Sequence, residues 1–196
     1  LIEAGADVNK ARNDGESSLI AAARNSHEAV VKALIEAGAD VNKAWGDGVT
    51  PLYIAAQEGD EAAVKALIEA GADVNKAMDD GRTPLYIAAR KGREAVVKAL
   101  IEAGADINKA DNDGWTPLIA AAQEGHEAVV NVLIEAGAEV SKARDGGLTP
   151  LYVASRNGHE VVVKALIGAG AHINKPLDDG RTSLFRAASI GNESVV

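Results

Sequence analysis

The sequence predicts an all-α protein, an array of short two-helix units stacked side by side, and three observations predict it. A seven-residue word, "GADVNKA", returns every 33 residues along the chain. Between its copies the apolar residues fall at helical spacing in two short runs divided by a glycine. Finally, 47% of the 196 residues are hydrophobic but only 3% are aromatic. Ala, Val, Leu and Ile must therefore do the packing, which suits thin helices in close approach.

The word begins at Gly5, Gly38 and Gly71, then reads "GADINKA" from Gly104, "GAEVSKA" from Gly137 and "GAHINKP" from Gly170, without insertion or deletion. A second word, "DGxTPL", keeps the same phase at Gly48, Gly81, Gly114 and Gly147, with weaker copies at Gly15 ("GESSL") and Gly180 ("GRTSL"). Six in-phase copies exclude coincidence. The chain divides into a partial unit 1–9, five units at 10–42, 43–75, 76–108, 109–141 and 142–174, and a partial unit 175–196, called units one to six from residue 10 onward.

Unit two shows how each element arises. Thr50 is a strong helix N-cap and Pro51 occupies the first helical position, where a missing N–H costs nothing. The first helix is short and stops near Gly59, a residue free to take the left-handed conformation. A second helix follows in "EAAVKALIEA", Glu61 to Ala70, with Val64, Leu67 and Ile68 on one face. Glu61 and Lys65 form an i, i+4 pair in the favourable order, repeated by Glu28–Lys32, Glu94–Lys98 and Glu160–Lys164. Gly71 ends that helix, and "ADVNKAMDDGR" reads as an extended loop with a tight turn. Two short helices and a turn cannot bury their own apolar faces, so the copies must bury them against one another.

A unit of the form "DGxTPLxxAAxxGxxxVVxxLIxxGAxVN", repeated in phase over the whole chain, resembles the ankyrin repeat. The resemblance implies a curved solenoid of stacked antiparallel helix pairs, with β-hairpin-like loops projecting at about a right angle. It also implies a non-catalytic scaffold that binds a partner protein through its loop tips and concave first-helix face. One column departs from the family pattern. The histidine usual after "TPL" is replaced by Ile20, Tyr53, Tyr86, Ile119, Tyr152 and Phe185, where packing is expected to replace its hydrogen bonding. The first and last residues carry interior-type apolar side chains (Leu1, Ile2, Val195, Val196) rather than polar caps, which leads us to expect that the array continues beyond the 196 residues.

Comparison of the units with one another separates scaffold from surface. The Gly-Ala, Asn-Lys and Thr-Pro-Leu columns barely change. Two columns flanking the loop turn change in size, polarity and charge. The first reads Arg12, Trp45, Met78, Asp111, Arg144, Leu177, and the second reads Glu16, Val49, Arg82, Trp115, Leu148, Arg181. A third variable pair follows the Ala-Ala of the first helix and includes Arg90-Lys91; the resemblance places this edge on the concave groove. Trp and Arg are the types most enriched among binding hot spots, so these residues are the candidate partner-binding set. An exposed row of Trp45, Met78, Trp115, Leu148 and Leu177 is expected to form an apolar patch. Four loop arginines make it mildly basic, partly offset by Asp14, Asp47, Asp80, Asp113 and Asp179 between the columns. The expected partner is an apolar and mildly acidic protein segment, bound by a monomeric array.

Other chemistry is not signalled. There is no cysteine, so thiolate metal sites and disulfides are excluded. A net charge of −9 argues against nucleic-acid binding. No apolar run reaches the roughly 18 residues of a membrane helix, and no secretory leader opens the chain, so an intracellular, cytoplasmic location is expected. His27, His126 and His159 share one column, but Asp60, Arg93 and Asn192 also occupy it, so it is not a ligand set. No catalytic residue, metal ligand or cofactor is expected. Two other readings remain open: a spacer segment of a longer repeat protein, and an engineered repeat binder. Framework drift at Glu139-Val140-Ser141, Asn131 and Gly168 speaks against the second.

Overall fold

The computed structural model describes residues 1–196. It contains eleven α-helices, and no strands. Unit one supplies α1 (Ser18–Arg24) and α2 (Glu28–Glu36), unit two α3 (Pro51–Glu58) and α4 (Glu61–Glu69), unit three α5 (Pro84–Arg90) and α6 (Glu94–Glu102). Unit four supplies α7 (Pro117–Glu124) and α8 (Glu127–Glu135), unit five α9 (Pro150–Asn157) and α10 (Glu160–Gly168), and unit six α11 (Ser183–Ser189). The odd-numbered helices pack in one row, the even-numbered helices in a second, and each pair closes as a helical hairpin.

The helix starts follow the local chemistry. Thr50, Thr83, Thr116, Thr149 and Thr182 each accept the backbone N–H of the third residue on, and Pro occupies the first turn in α3, α5, α7 and α9. Ser17 does the same for α1 without a proline. The core is a continuous ribbon of small and branched side chains, with Ala55, Ala56, Ala88, Ala89, Ala121 and Ala122 wholly buried between neighbouring first helices. On the second helix Val64 and Leu67 are buried and Ile68 is half-buried. All four expected Glu–Lys pairs form on the exposed helix faces, three of them at 2.5–2.6 Å.

The constant Asn and Lys columns bond one unit to the next. Asn42 Oδ1 accepts Asp73 N–H at 2.8 Å while its Nδ2 donates to Gly71 O at 3.1 Å. Asn9 and Asn75 do the same one unit before and after. Each following lysine donates back to the previous Asn carbonyl, as Lys76 does to Asn42 O at 2.7 Å.

The loops are less hairpin-like than the family pattern implies. In every unit the first-column N–H donates to the second-column carbonyl, at 2.8–3.0 Å. Only unit two closes the reciprocal bond, Val49 N–H to Trp45 O at 3.0 Å. In units one, three and six the tip carboxylate takes that N–H instead, Asp14 from Glu16, Asp80 from Arg82 and Asp179 from Arg181, and in unit four the first-column Asp111 takes it from Trp115. An aspartate side chain satisfies the turn locally and removes the need for a second ladder bond.

Candidate functional site

The two variable columns face each other across each loop and meet the first helix of the preceding unit. This juxtaposition makes a groove with three cavities. Tyr86, Arg90, Trp115, Ala120 and Gln123 line one, between units three and four. Asp80, Arg82 and Asp111 border its neighbour, which shares Tyr86 and Arg90. The third lies between units five and six and holds Leu148, Tyr152, Leu177 and Arg181. The geometry thus gathers Arg82, Arg90, Asp111 and Trp115 in one place, and Leu148, Leu177 and Arg181 in another.

Arg12, Glu16, Trp45 and Val49 lie apart from these cavities, and three of them form a cluster around Arg24. The Trp45 indole N–H donates to Asp14 O at 3.0 Å, and Arg24 lies over the ring at 4.8 Å from its centre. Arg24 Nη1 approaches Glu16 Oε1 to 2.5 Å, though off the hydrogen-bonding direction, and Arg12 reaches the other oxygen at 3.5 Å. Glu16 is only 9% exposed. Trp45 is therefore a strut between units one and two as well as a surface residue. Trp115 is held from the following unit, with Arg144 over its ring at 4.7 Å. Lys91 is exposed and Met78 half-buried.

The expected exposed apolar row is not formed. Leu177 is 8% exposed and belongs to the buried set, and Trp45, Met78, Trp115 and Leu148 are half-buried against the core. The reason is the loop itself: folding back on the preceding first helix, it brings these side chains onto the stack instead of out from it. The basic character is reduced as well. Arg82 Nε donates to Asp80 at 2.6 Å and Arg181 Nε to Asp179 at 2.7 Å, while Arg12 lies 3.5 Å from Asp14. The arginine hydrogen bonds hold the Asp80 and Asp179 carboxyls below the usual carboxylate range. In the basic cluster of unit three, Arg90 approaches Glu124 at 3.8 Å, and Arg93 Nε donates to Gln57 O at 3.2 Å.

Three groove residues escape a reading based on packing. Tyr53, Tyr86 and Tyr152 stand in the column expected to be purely apolar, and their rings are buried. Tyr86 and Tyr152 nonetheless line the cavities. Burial pushes the Tyr53 and Tyr86 phenols above their usual range. The available signal was the alternation of Tyr with Ile and Phe in one column, since a core slot alone gives no reason for a hydroxyl.

The histidine column is structural. His126 Nε2 lies 3.0 Å from Arg90 O, and His159 Nε2 lies 2.9 Å from Gln123 O, each ring seated where a side chain on Gly92 or Gly125 would stand. Unit one carries Ser26 in place of that glycine, and the facing residue in unit two is Asp60, which turns away to cap its own helix through Ala63 N–H.

A family model described as "Ankyrin repeats (3 copies)" matches residues 1–78, 74–144 and 141–196, which together span the chain. The chain belongs to the ankyrin-repeat family. Ankyrin repeats are generally protein-interaction modules, and the family is typically non-catalytic. Comparison with curated proteins gave no match. No helix of this ankyrin array is long and apolar enough to cross a membrane, and no group of three or more His, Asp or Glu side chains is placed to hold a metal ion.

Proposed function

We propose that the array is a non-catalytic scaffold that recognises a partner protein along the groove between its loop columns and first helices. The observation that carries this reading is a division of labour among polar groups. The constant Asn and Lys side chains, with His126 and His159, are consumed by bonds to main-chain atoms of neighbouring units. Half of the candidate variable residues (Arg82, Arg90, Asp111, Trp115, Leu148, Leu177 and Arg181), with Tyr86 and Tyr152, instead line cavities open to a partner. A stacked array presents such residues rigidly, which limits the ordering cost of binding. An interface of ordinary size covers about 800 Å² of each partner, an area that several adjacent units supply together.

The test is capture of partners from the native source by the wild-type array and by a variant carrying Arg90→Ala, Trp115→Ser and Leu148→Ser. Trp45 is left intact because it braces two units. A partner held by the first and released by the second, with both folded by circular dichroism, supports recognition along the groove. Equal capture by both, or none by either, rejects the groove and favours the spacer reading.

A further inference from the structure

The cavity between units five and six differs from the other two in its number of arginines, three against one and two. Arg156 from α9, Arg186 from α11 and Arg181 from the loop of unit six all line it, beside the Tyr152 ring. Only Arg181 is ion-paired, with Asp179. Arg156 makes one long bond, to Asn157 Oδ1 at 3.4 Å. Arg186 Nε is buried with no hydrogen-bond partner, as is Arg144 Nε, but of the two only Arg186 lines the cavity. A buried guanidinium N–H left unbonded is unfavourable, and here the chain provides no acceptor for it. Sequence comparison makes the same residue conspicuous: the column that holds Arg186 reads Ile54, Ile87 and Val153 in other units, all buried and apolar.

We propose that this cavity is a binding site for a single carboxylate, borne by an acidic side chain of the partner segment. The lining carries three arginines against Asp178 and Asp179, a formal excess of one positive charge. That excess balances a carboxylate, whereas a phosphate monoester carries about −1.5 to −2 at neutral pH and leaves negative charge facing the two aspartates. Guanidinium groups donate in a planar fork that matches a carboxylate. Leu148 and Leu177 on the same wall accept the methylene stem of such a side chain. A cavity of about 410 Å³ accommodates it. The two cavities between units three and four lack the site: Ala120 stands in the column of Arg186, one cavity holds Arg90 as its single arginine, and in the other Asp80, Asp111 and Asp113 outnumber Arg82 and Arg90.

The identity of the natural occupant rests on the recognition reading above, but the chemistry of the cavity is tested without any partner. The probe is butyrate, a single carboxylate on a methylene stem, titrated into the intact array at low ionic strength, with inorganic phosphate and chloride in parallel. The readout is the set of arginine Nε–Hε resonances. Butyrate is expected to give saturable shifts at Arg186 and Arg156, and Arg186→Met, which keeps the aliphatic stem, is expected to weaken the apparent affinity at least tenfold while leaving the backbone amide spectrum of units one to four unchanged. Arg156→Gln supplies a second variant should Arg186→Met perturb α11. Shifts that fail to saturate, shifts equal to those at Arg24 and Arg93, or tighter binding of phosphate than of butyrate would each overturn the proposal. Absence of butyrate binding alongside groove-dependent partner capture overturns the cavity alone. Butyrate binding without any partner capture removes the recognition reading and leaves the cavity standing.

Discussion

Trp45 and Trp115 sit in opposite columns of the loops, and the structure assigns them different amounts of work. Replacing each by Phe keeps an aromatic face for the arginine above it but deletes the indole N–H. For Trp45 that N–H is bonded to Asp14 O at 3.0 Å, and a bond of this kind contributes about 0.5–1.5 kcal/mol net. Trp115 has no such bond, so Trp115→Phe loses only the quality of its contact with Arg144 at 4.7 Å. The expected result is that Trp45→Phe destabilises the array by about 1 kcal/mol more than Trp115→Phe. Trp45→Ala adds loss of the Arg24 contact at 4.8 Å, about 0.5–1 kcal/mol at an exposed site, and of the half-buried ring's packing against the core, so the total exceeds about 2 kcal/mol. Because an array unfolds by units coupled to their neighbours, the loss should be concentrated in unit one. Amide hydrogen exchange resolved by unit is therefore the assay, with denaturant melts as a check. Protection in α1 and α2 should fall in Trp45→Phe and stay at the wild-type level in Trp115→Phe. Equal effects of the two variants, or a loss spread evenly over the chain, would refute the role of Trp45 as a brace and return it to the partner-binding set alone.

The glycines that end the first helices offer a second check. Gly125→Ala forces a left-handed Ala and meets the His159 ring at 2.6 Å, so it should cost about 1–2 kcal/mol of strain plus about 1 kcal/mol for the displaced bond to Gln123 O. Gly137→Ala, at similar φ with open space around it, should show the strain alone in denaturant melts. At neutral pH, Arg82→Leu should be less stable than wild type by no more than about 1 kcal/mol, since Asp80 is nearly half exposed. The folded carboxyl titrates below its unfolded value near 3.9, so that difference should hold above about pH 4 and close as pH falls through the lower folded value. In alkali the sign reverses. Tyr53 and Tyr86 are held neutral by burial, so their stabilisation is complete below the unfolded phenol value near 10 and is lost as pH rises through the higher folded values. Absorbance titration at a tyrosinate wavelength should show late ionisation, and Tyr53→Phe should remove one late step.

What could be read from the sequence was whatever depended on neighbours along the chain. Thr50 before Pro51, Gly59 after the first helix and Glu61 four residues before Lys65 are local arrangements, and each behaves as its spacing implies. The partners of the constant Asn column were not legible. Asn42 bonds to the carbonyl of Gly71 and the N–H of Asp73, and main-chain atoms leave no trace in the residue types that carry them. Constancy announced a role without announcing the bond. Pairing within the loops lay between these cases. The words "DDGR" in units three and six place an aspartate two residues before Arg82 and Arg181, close enough to neutralise them. The burial of Leu177 required knowing that the loop folds back over α9, which the period does not encode. Ser26 and Asp60 carried a signal across units, since losing the glycine in one removes the seat for a ring in the next.

These facts bear on why one scaffold can vary its surface so freely. The ladder that joins the units ends largely on main-chain atoms, so exchanging side chains in the loop columns leaves most of its acceptors in place. The exceptions fall in the last two junctions, in the first of which Asn108 accepts from Glu139 N–H but makes no bond to Gly137 O. Between units five and six Ser141 replaces Asn, and its shorter hydroxyl accepts from His172 N–H at 2.9 Å without also reaching Gly170 O. Glu139 and His172 replace the aspartate that turns the chain in the four preceding copies, as Asp73 does by accepting from Asn75 N–H at 2.9 Å. Gly146 replaces the tip aspartate, and the loop there takes a short 3-10 turn, Asp145–Gly147. Arg186 replaces a buried aliphatic residue at the same place. Sequences that obey local rules elsewhere tend to break them at functional sites. Ser141, His172 and Gly146 thus lie near the junction whose cavity Arg156, Arg181 and Arg186 line, and the departures there fall on framework columns rather than on the loop columns that vary freely.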